Sequence, residues 1–294
     1  MTKFRLKMAR QRGEQIAKEH GFDSFPVDPF KIAADNEIFV EAKHPEKQGM
    51  SGCIIFTNDG VGIIYSTSIR SEGFQRFTVA HELGHYFLDD HPEEILKTGG
   101  AHVSKAGFNQ GGNSIEIEAD HFASGMLMPT NLVRKRLAKS GVGLPGIQAL
   151  CRDAETSLTS AAIRAAECAS FPMAVIVSQG TNIAYGFLSE SFKRLGSLTY
   201  PRKGMPLPES ATREFNADPS NIQFGREQCA QSSSSHWFSG DKDLPLDEEI
   251  VGLGSYGYTL TVLSSEAVDE DPYEEEDEEA KLLDSWTPKF AYGR

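Results

Sequence analysis

Residues 76–85 read Arg-Phe-Thr-Val-Ala-His-Glu-Leu-Gly-His, and they lie in a helical pattern that runs from Glu72 to Leu88. On a helix, residues i and i+4 share one face, one turn apart. His81 and His85 can therefore bind one metal ion together. Glu82 would project beside that ion, where it can take a proton from a metal-bound water. The pattern predicts a metal centre that activates water.

The alternative is a pair of histidines on a solvated helix surface. This alternative is weakened by the apolar side chains on both flanks of the motif, namely Phe77, Val79, Tyr86 and Phe87. They predict a buried segment, and buried imidazoles need partners. We therefore favour the metal-binding interpretation.

A catalytic metal site needs a third protein ligand. The helical segment Ser114–Leu127 carries Glu116 and Asp120 at positions i and i+4, on one face. We predict Glu116 as the third ligand and Asp120 as an acceptor that orients a ligand histidine. Glu118 and His121 are the competing candidates, and a solvated charged helix face is the alternative to all four.

These motifs resemble the signature of the ImmA/IrrE family of zinc metallopeptidases. The resemblance covers roughly Met8–Leu137 and rests on residues 76–85, Glu116–Ala123, Leu127–Pro129, Pro26–Pro29 and Met50–Gly52. It implies that His81, His85 and Glu116 bind Zn²⁺, that Asp120 supports them, and that Glu82 is the general base.

The resemblance also implies a function. Family members are site-specific endopeptidases that typically cleave a helix-turn-helix transcriptional repressor and so induce stress, mobile-element or phage-defence genes. Single-stranded DNA is one kind of trigger within the family. The alternative is a non-catalytic regulator or antitoxin-like binding module that sequesters a repressor.

Hydrolysis also needs a place for the substrate and a donor to the oxyanion. We expect the substrate to pair with an edge strand of a small sheet, and the run Ser51–Phe56 is our candidate. The possible oxyanion donors are His102, His121, Tyr86 and Arg76. The sequence does not choose among them.

Four cysteines are far apart, which excludes a disulfide framework and a cysteine-type zinc site. Cys53 lies near the expected substrate strand and could act as a thiolate switch on the metal. The favoured alternative is a small buried apolar residue. The first residues are charged and lack an apolar core, so we expect no signal peptide and a cytoplasmic protein without a membrane span.

The fold class we predict is α+β, with a zincin-like metallopeptidase domain over residues 1–170. A second α/β domain, GAF-like by analogy and with a sensor role, is expected over 171–265. Predicted helices cover 4–20, 29–34, 72–88, 114–127, 131–139, 145–153 and 159–169. Predicted strands cover 38–42, 51–56, 61–65, 171–178, 183–188 and 256–263, and a Gly-rich loop covers 92–112.

The formal net charge is −13, and ten acidic residues lie in the run Glu266–Ala280. The rest of the chain is therefore close to neutral, which excludes a uniformly basic nucleic-acid binder. Residues 266–294 are expected to form an acidic tail with an aromatic end, either as a solvated segment or as a cover for a basic surface.

Basic residues in the second half alternate with aromatic ones, a combination that suits single-stranded DNA. The possible contacts are Lys193, Arg194, Arg202, Lys203, Arg213 and Arg226, interleaved with Phe192, Tyr200, Phe215 and Phe224. A solvated basic surface over a small core is the favoured alternative.

Overall fold

The computed structural model describes residues 3–44, 50–68, 71–105, 114–194, 198–239 and 243–265. The helices are α1 Lys3–Glu19, α2 Pro29–Asp35, α3 Glu72–Phe87, α4 His91–Lys97, α5 Ser114–Leu127, α6 Thr130–Leu137, α7 Leu144–Ala154, α8 Leu158–Cys168, α9 Glu190–Lys193, α10 Ala211–Ala217, α11 Pro219–Gln223 and α12 Ser234–Phe238. The strands are β1 Phe39–Lys43, β2 Met50–Thr57, β3 Gly60–Ser66, β4 Ala101–Lys105, β5 Met173–Gln179, β6 Asn182–Leu188, β7 Glu227–Ser233, β8 Pro245–Gly252 and β9 Thr259–Ser264. The α+β prediction is confirmed, and every predicted helix is present within a few residues of its expected bounds.

The first sheet has the strand order β1-β3-β2-β4. Strand β2 is antiparallel to both β3 and β4, whereas β1 runs parallel to β3. The prediction that Ser51–Phe56 forms an edge strand is therefore wrong, because β2 has a partner on each side. Among the strands that the structure describes, β4 is the edge strand next to β2.

The predicted loop over residues 92–112 is also wrong. It contains most of α4 and all of β4, while residues 106–113 lie outside the described part of the chain. Pro92 occupies the first turn of α4, where its missing N–H costs nothing. Gly99 and Gly100 both adopt positive φ and turn the chain into β4. In this segment the proline lies at the start of a short helix, and the two glycines lie just before a short strand.

Close helix packing brings the two metal-ligand segments together. A Cβ on Gly84 of α3 would stand 3.1 Å from the Cα of Ala119 on α5, so the bare glycine allows these helices to approach. Helix α1 crosses α5 still more closely, because Cβ atoms on Gly13 and Gly125 would each lie 2.2 Å from a backbone oxygen of the other helix. Helix α5 is thereby held between α1 and α3.

The second sheet is antiparallel and has the order β6-β5-β9-β8-β7. Strands β5, β6 and β9 match the three predicted ones, but β7 and β8 were not predicted. Strand β7 is polar and mostly exposed, and β8 alternates acidic with apolar residues. Residues 232–235 end β7 and begin α12.

Both faces of strand β5, in the second sheet, are buried. Met173, Val175 and Val177 join a core that continues into α1, α3 and the helices between them. Ala174 and Ile176 pack on the opposite face against a smaller core. The division near residue 170 stays a prediction, and the predicted tail over 266–294 lies outside the described residues. Among the helices described, none has the length and apolar character that a bilayer crossing requires.

Candidate metal centre

The histidine motif occupies the buried half of α3. Ser71 caps this helix by accepting a hydrogen bond from the amide of Phe74, and residues 78–85 are all buried. His81 and His85 point their Nε2 atoms at each other across 3.2 Å. The i, i+4 geometry expected for a shared metal ion is therefore present.

Glu116 of α5 completes the group. Its Oε1 lies 3.3 Å from His85 Nε2, and its Oε2 lies 3.7 Å from His81 Nε2. One donor atom from each of the three residues lies within 4.8 Å of the others. Two imidazole nitrogens and one carboxylate oxygen form a donor set typical of catalytic zinc sites. These residues could hold a metal ion.

The other ring nitrogen of each histidine is also engaged. His81 Nδ1 lies 2.8 Å from Asp120 Oδ1, the contact expected for an acceptor that orients a ligand histidine. His85 Nδ1 lies 3.1 Å from Nδ1 of His91, the first residue of α4. His91 was not predicted, because its segment was interpreted as a loop.

The two competing ligand candidates lie elsewhere. Glu118 accepts a hydrogen bond from Arg5 of α1 at 3.0 Å. His121 Nδ1 lies 2.9 Å from the guanidinium of Arg10. Both face α1, and neither belongs to the group formed by His81, His85 and Glu116.

Glu82 is fully buried beside this group. Neither carboxylate oxygen has a hydrogen-bond partner among the described residues. Burial raises the pKa of Glu82 to about 7, although His81, Ser104 and His102 act in the opposite direction. A buried, unpartnered carboxylate therefore lies close to three converging donor atoms.

The charges of the centre follow from burial and hydrogen bonding. Burial lowers the pKa of His85 to about 3, with the positive charges of His81 and His102 adding to the effect. Burial also opposes the charging of His81, but Asp120 and the nearby carboxylates raise its pKa to about 8. Burial acts to raise the pKa of Glu116, yet hydrogen bonds from His102 and His85 hold it far below its usual range. Glu116 is thus a carboxylate, as a metal ligand must be.

The four oxyanion-donor candidates differ in whether they lie close to the donor group of His81, His85 and Glu116. His102 of β4 places Nε2 at 2.5 Å from Glu116 Oε1, and its ring centroid lies 4.6 Å from that of His85. Arg76 donates instead to the carbonyl of Val27. Tyr86 packs edge-on against Phe87, and His121 faces Arg10. Of the four, His102 is the one at the metal-ligand group.

Residues 44–146 match the family model described as the IrrE N-terminal-like domain, Peptidase_M78. These residues are similar to an IrrE N-terminal-like domain. The match includes α3, α5 and β4, and it confirms the resemblance drawn from the motifs. The matched family is one of peptidases, and the donor group described above lies within the matched residues.

The fold is also similar to that of a solved structure. A Mycobacterium tuberculosis transcriptional regulator matches with a TM-score of 0.53 and 13% sequence identity, over 88% of this chain and 76% of that one. This likeness shows a shared fold that extends beyond the IrrE N-terminal-like domain. No curated protein matches the chain in sequence.

Cys53 lies on β2, inside the IrrE N-terminal-like domain. Its side chain is buried, and burial together with the charge of Glu82 raises the pKa of the thiol to about 11. The thiol is therefore protonated at neutral pH, which is the property of a small buried residue. A thiolate switch would need that proton to be removed first.

The six basic residues proposed for DNA lie outside the IrrE N-terminal-like domain, and several already have acidic partners. Lys193 pairs with Glu190, Arg213 pairs with Glu209, and Arg226 lies 3.9 Å from Asp218. The other three are exposed, namely Arg194, Arg202 and Lys203.

The aromatic residues between them differ in exposure. Phe192 and Phe215 are buried in the two smaller apolar clusters, so their rings are not available to stack on bases. Tyr200 is 43% exposed and Phe224 is 69% exposed. Arg226 lies over the Phe224 ring, at 6.0 Å from its centroid.

Proposed function

We propose that this protein is a zinc-dependent endopeptidase that cleaves one site in a helix-turn-helix transcriptional repressor. The observation that carries the proposal is the placement of the buried, unpartnered carboxylate of Glu82 beside the converging donors of His81, His85 and Glu116. A purely structural histidine pair would not require an unpartnered carboxylate beside it, since such a group is costly to bury.

His81, His85 and Glu116 would hold the ion. When bound there, zinc supplies a water of lowered pKa and polarises the carbonyl of the scissile bond. Glu82 could accept a proton at its carboxylate and pass it to the leaving amine, a transfer suited to a carboxylate whose pKa lies near 7. Asp120 holds the ring of His81 in place.

Two features of β4 suit it to the substrate. The strand pairs with β2 along one edge, and within the described residues no strand covers its other edge. A substrate chain can add to that edge by main-chain hydrogen bonds. His102 lies on the same strand, so its imidazole can donate a hydrogen bond to the oxyanion of the bond being cleaved.

The repressor as substrate is supported by the resemblance to the ImmA/IrrE family and by the matched IrrE N-terminal-like domain. The similar fold of a protein named as a transcriptional regulator agrees with a role in gene regulation. Induction of stress or phage-defence genes in the cytoplasm is the outcome that we propose for the cleavage.

The region from 171 onward is proposed as the sensor that controls the peptidase, with single-stranded DNA as its trigger. The support is the exposed Phe224 ring beside Arg226, and the exposed Tyr200, which Arg202 and Lys203 follow closely in the sequence. Exposed aromatic rings next to cations suit base stacking and phosphate neutralisation.

The test is a cleavage assay on the helix-turn-helix protein encoded next to this gene. Wild type and Glu82→Gln are each loaded with zinc and incubated with the repressor, with and without short single-stranded DNA. We expect loss of the repressor band with wild type only, and a faster loss when DNA is added. A repressor that stays intact in a stable complex with both proteins would instead support a non-catalytic binding module, for which the regulator-like fold gives precedent.

A further inference from the structure

We infer that His91, Glu118 and Arg5 form a relay that holds the ring of His85 in position from behind. The inference rests on the proposed metal site and adds three positioning residues to it. The carboxylate of Asp120 contacts His81 directly. His85 instead contacts the imidazole of His91, and the carboxylate of Glu118 lies beyond that second ring.

The relay begins at a contact between two fully buried rings. His85 and His91 are both 0% exposed, and their Nδ1 atoms are 3.1 Å apart. The sharp turn between α3 and α4 produces this contact, since Asp90 adopts a left-handed conformation with φ of 69° just before His91. The turn brings the first residue of α4 back against the metal-binding helix.

The hydrogen-bond roles follow from simple exclusion. A metal ion on His85 Nε2 leaves the ring proton on Nδ1. Two Nδ1 atoms share a hydrogen bond only when one of them carries a proton, so His91 Nδ1 must be the acceptor. The proton of neutral His91 then lies on Nε2, which faces Glu118 Oε2 at 3.6 Å.

Glu118 is in turn held by a cation from α1. Its side chain is 5% exposed, and Arg5 contacts both of its oxygens: Nη2 donates a hydrogen bond to Oε2 at 3.0 Å, and Nε lies 3.0 Å from Oε1 as an ion pair. A charge-assisted hydrogen bond of this kind is stronger than one between neutral groups, so Arg5 helps to hold the carboxylate in place. His91 Nε2 has no hydrogen-bond partner among the described residues, and this carboxylate lies 3.6 Å from it.

The relay runs from the proposed metal ligand His85 to the protein surface. Arg5, at its outer end, is half exposed, whereas the side chains of Glu118, His91 and His85 are buried. Three helices, α1, α4 and α5, therefore converge on one ligand ring. We expect this support to matter for metal affinity, because partners of ligand histidines are typically worth about 10–100-fold in metal binding.

The test measures zinc affinity of the full chain by competition with a chromophoric chelator, together with thermal unfolding of each metal-free variant. His91→Leu removes the acceptor, and His121→Leu is the matched control because His121 contacts Arg10 and not a metal ligand. We expect His91→Leu to raise the dissociation constant for zinc at least tenfold and the control to match wild type. His91→Asn, which keeps an acceptor close to the Nδ1 position, should lose less.

A second readout reports the hydrogen bond itself. In the zinc-loaded wild type, the Nδ1 proton of His85 should be protected from exchange and visible by nitrogen-15 NMR. In His91→Leu it should exchange rapidly. A structural role of His91 that left His85 untouched would change neither the zinc affinity nor this proton.

Three outcomes decide the matter. A folded His91→Leu that binds zinc as wild type does would overturn the relay. If His91→Leu does not fold, Glu118→Gln takes its place, since it keeps the shape of the side chain and removes the charge; unchanged zinc affinity in that variant would overturn the relay equally. A wild type that binds no zinc would contradict the proposed function itself, which separates the two failures.

Discussion

The carboxylate of Glu82 lies directly against the backbone of Gly52. A Cβ on Gly52 would stand 2.4 Å from Glu82 Oε1 and 2.6 Å from the methyl group of Thr78. Strand β2 thus leaves a side-chain-sized space, and the proposed general base fills it. Gly52 therefore belongs to the candidate site, although it carries no reactive group.

Gly52→Ala should displace the Glu82 carboxylate and lower kcat/KM about tenfold or more, since small misplacements of a catalytic group are costly. Zinc affinity should stay close to that of wild type, because Gly52 contacts none of the three proposed ligands. Gly62→Ala on the neighbouring strand is the control, as its Cβ would meet nothing closer than 3.9 Å. Equal activity in both variants would argue against this role of Gly52.

Replacing His102 should affect the chemical step. We expect His102→Leu to lower kcat by about 100-fold, the usual effect of removing an oxyanion donor. His102→Gln keeps a nitrogen donor and should recover part of the rate. Steady-state kinetics and zinc titration separate the possibilities: a loss of zinc that parallels the loss of rate would mean that His102 only supports Glu116, which it contacts at 2.5 Å.

The burial of Glu82 should make the stability of the metal-free protein depend on pH. Its folded-state pKa of about 7 lies above the ordinary value of 4.5. Ionisation of Glu82 therefore lowers the free energy of unfolding: this loss is absent below pH 4.5, grows as the pH rises, and is complete above pH 7. Glu82→Gln should therefore be more stable than wild type at pH 8, by up to about 3 kcal/mol, with a smaller difference at pH 5.

Denaturant unfolding in the presence of a chelator measures this difference. Glu93→Gln, an exposed position on α4, is the control and should change stability little at either pH. A stability difference between wild type and Glu82→Gln that is the same at pH 5 and pH 8 would show that Glu82 does not titrate as we expect.

The proposed sensor role rests on exposed aromatic rings. Phe224→Ala should weaken binding of a short single-stranded DNA about tenfold, since one base stacked on an aromatic ring contributes about 1–3 kcal/mol. Phe4→Ala is a matched control, because Phe4 is 69% exposed like Phe224 but lies on α1. Fluorescence anisotropy at low salt would measure both. Identical affinities in the two variants would remove Phe224 from any DNA surface.

The metal-ligand group could be predicted because its members lie on two regular helices. His81 and His85 are four residues apart, as are Glu116 and Asp120, and helix periodicity alone places each pair on one face of its helix. His91 and Gly52 could not be found in this way. Their roles depend on how α4 turns back and on how β2 approaches α3, contacts that no local pattern encodes.

The incorrect predictions about the two sheets have a related cause. The position of β2 in its sheet depends on β4, which lies in a segment rich in glycine that was interpreted as a loop. In the second half, β7 was missed because an exposed edge strand needs no apolar alternation. Strand β5, with an apolar run buried on both faces, was predicted correctly.

The most direct test of the metal centre is X-ray absorption spectroscopy at the zinc edge on the zinc-loaded full chain. We predict one zinc ion per chain with two imidazole nitrogens and a carboxylate oxygen at about 2.0–2.2 Å, and no sulfur ligand. The same protein ligands should remain in Glu82→Gln. A sulfur ligand at about 2.3 Å, or zinc binding that survives replacement of both His81 and His85 by alanine, would contradict the account.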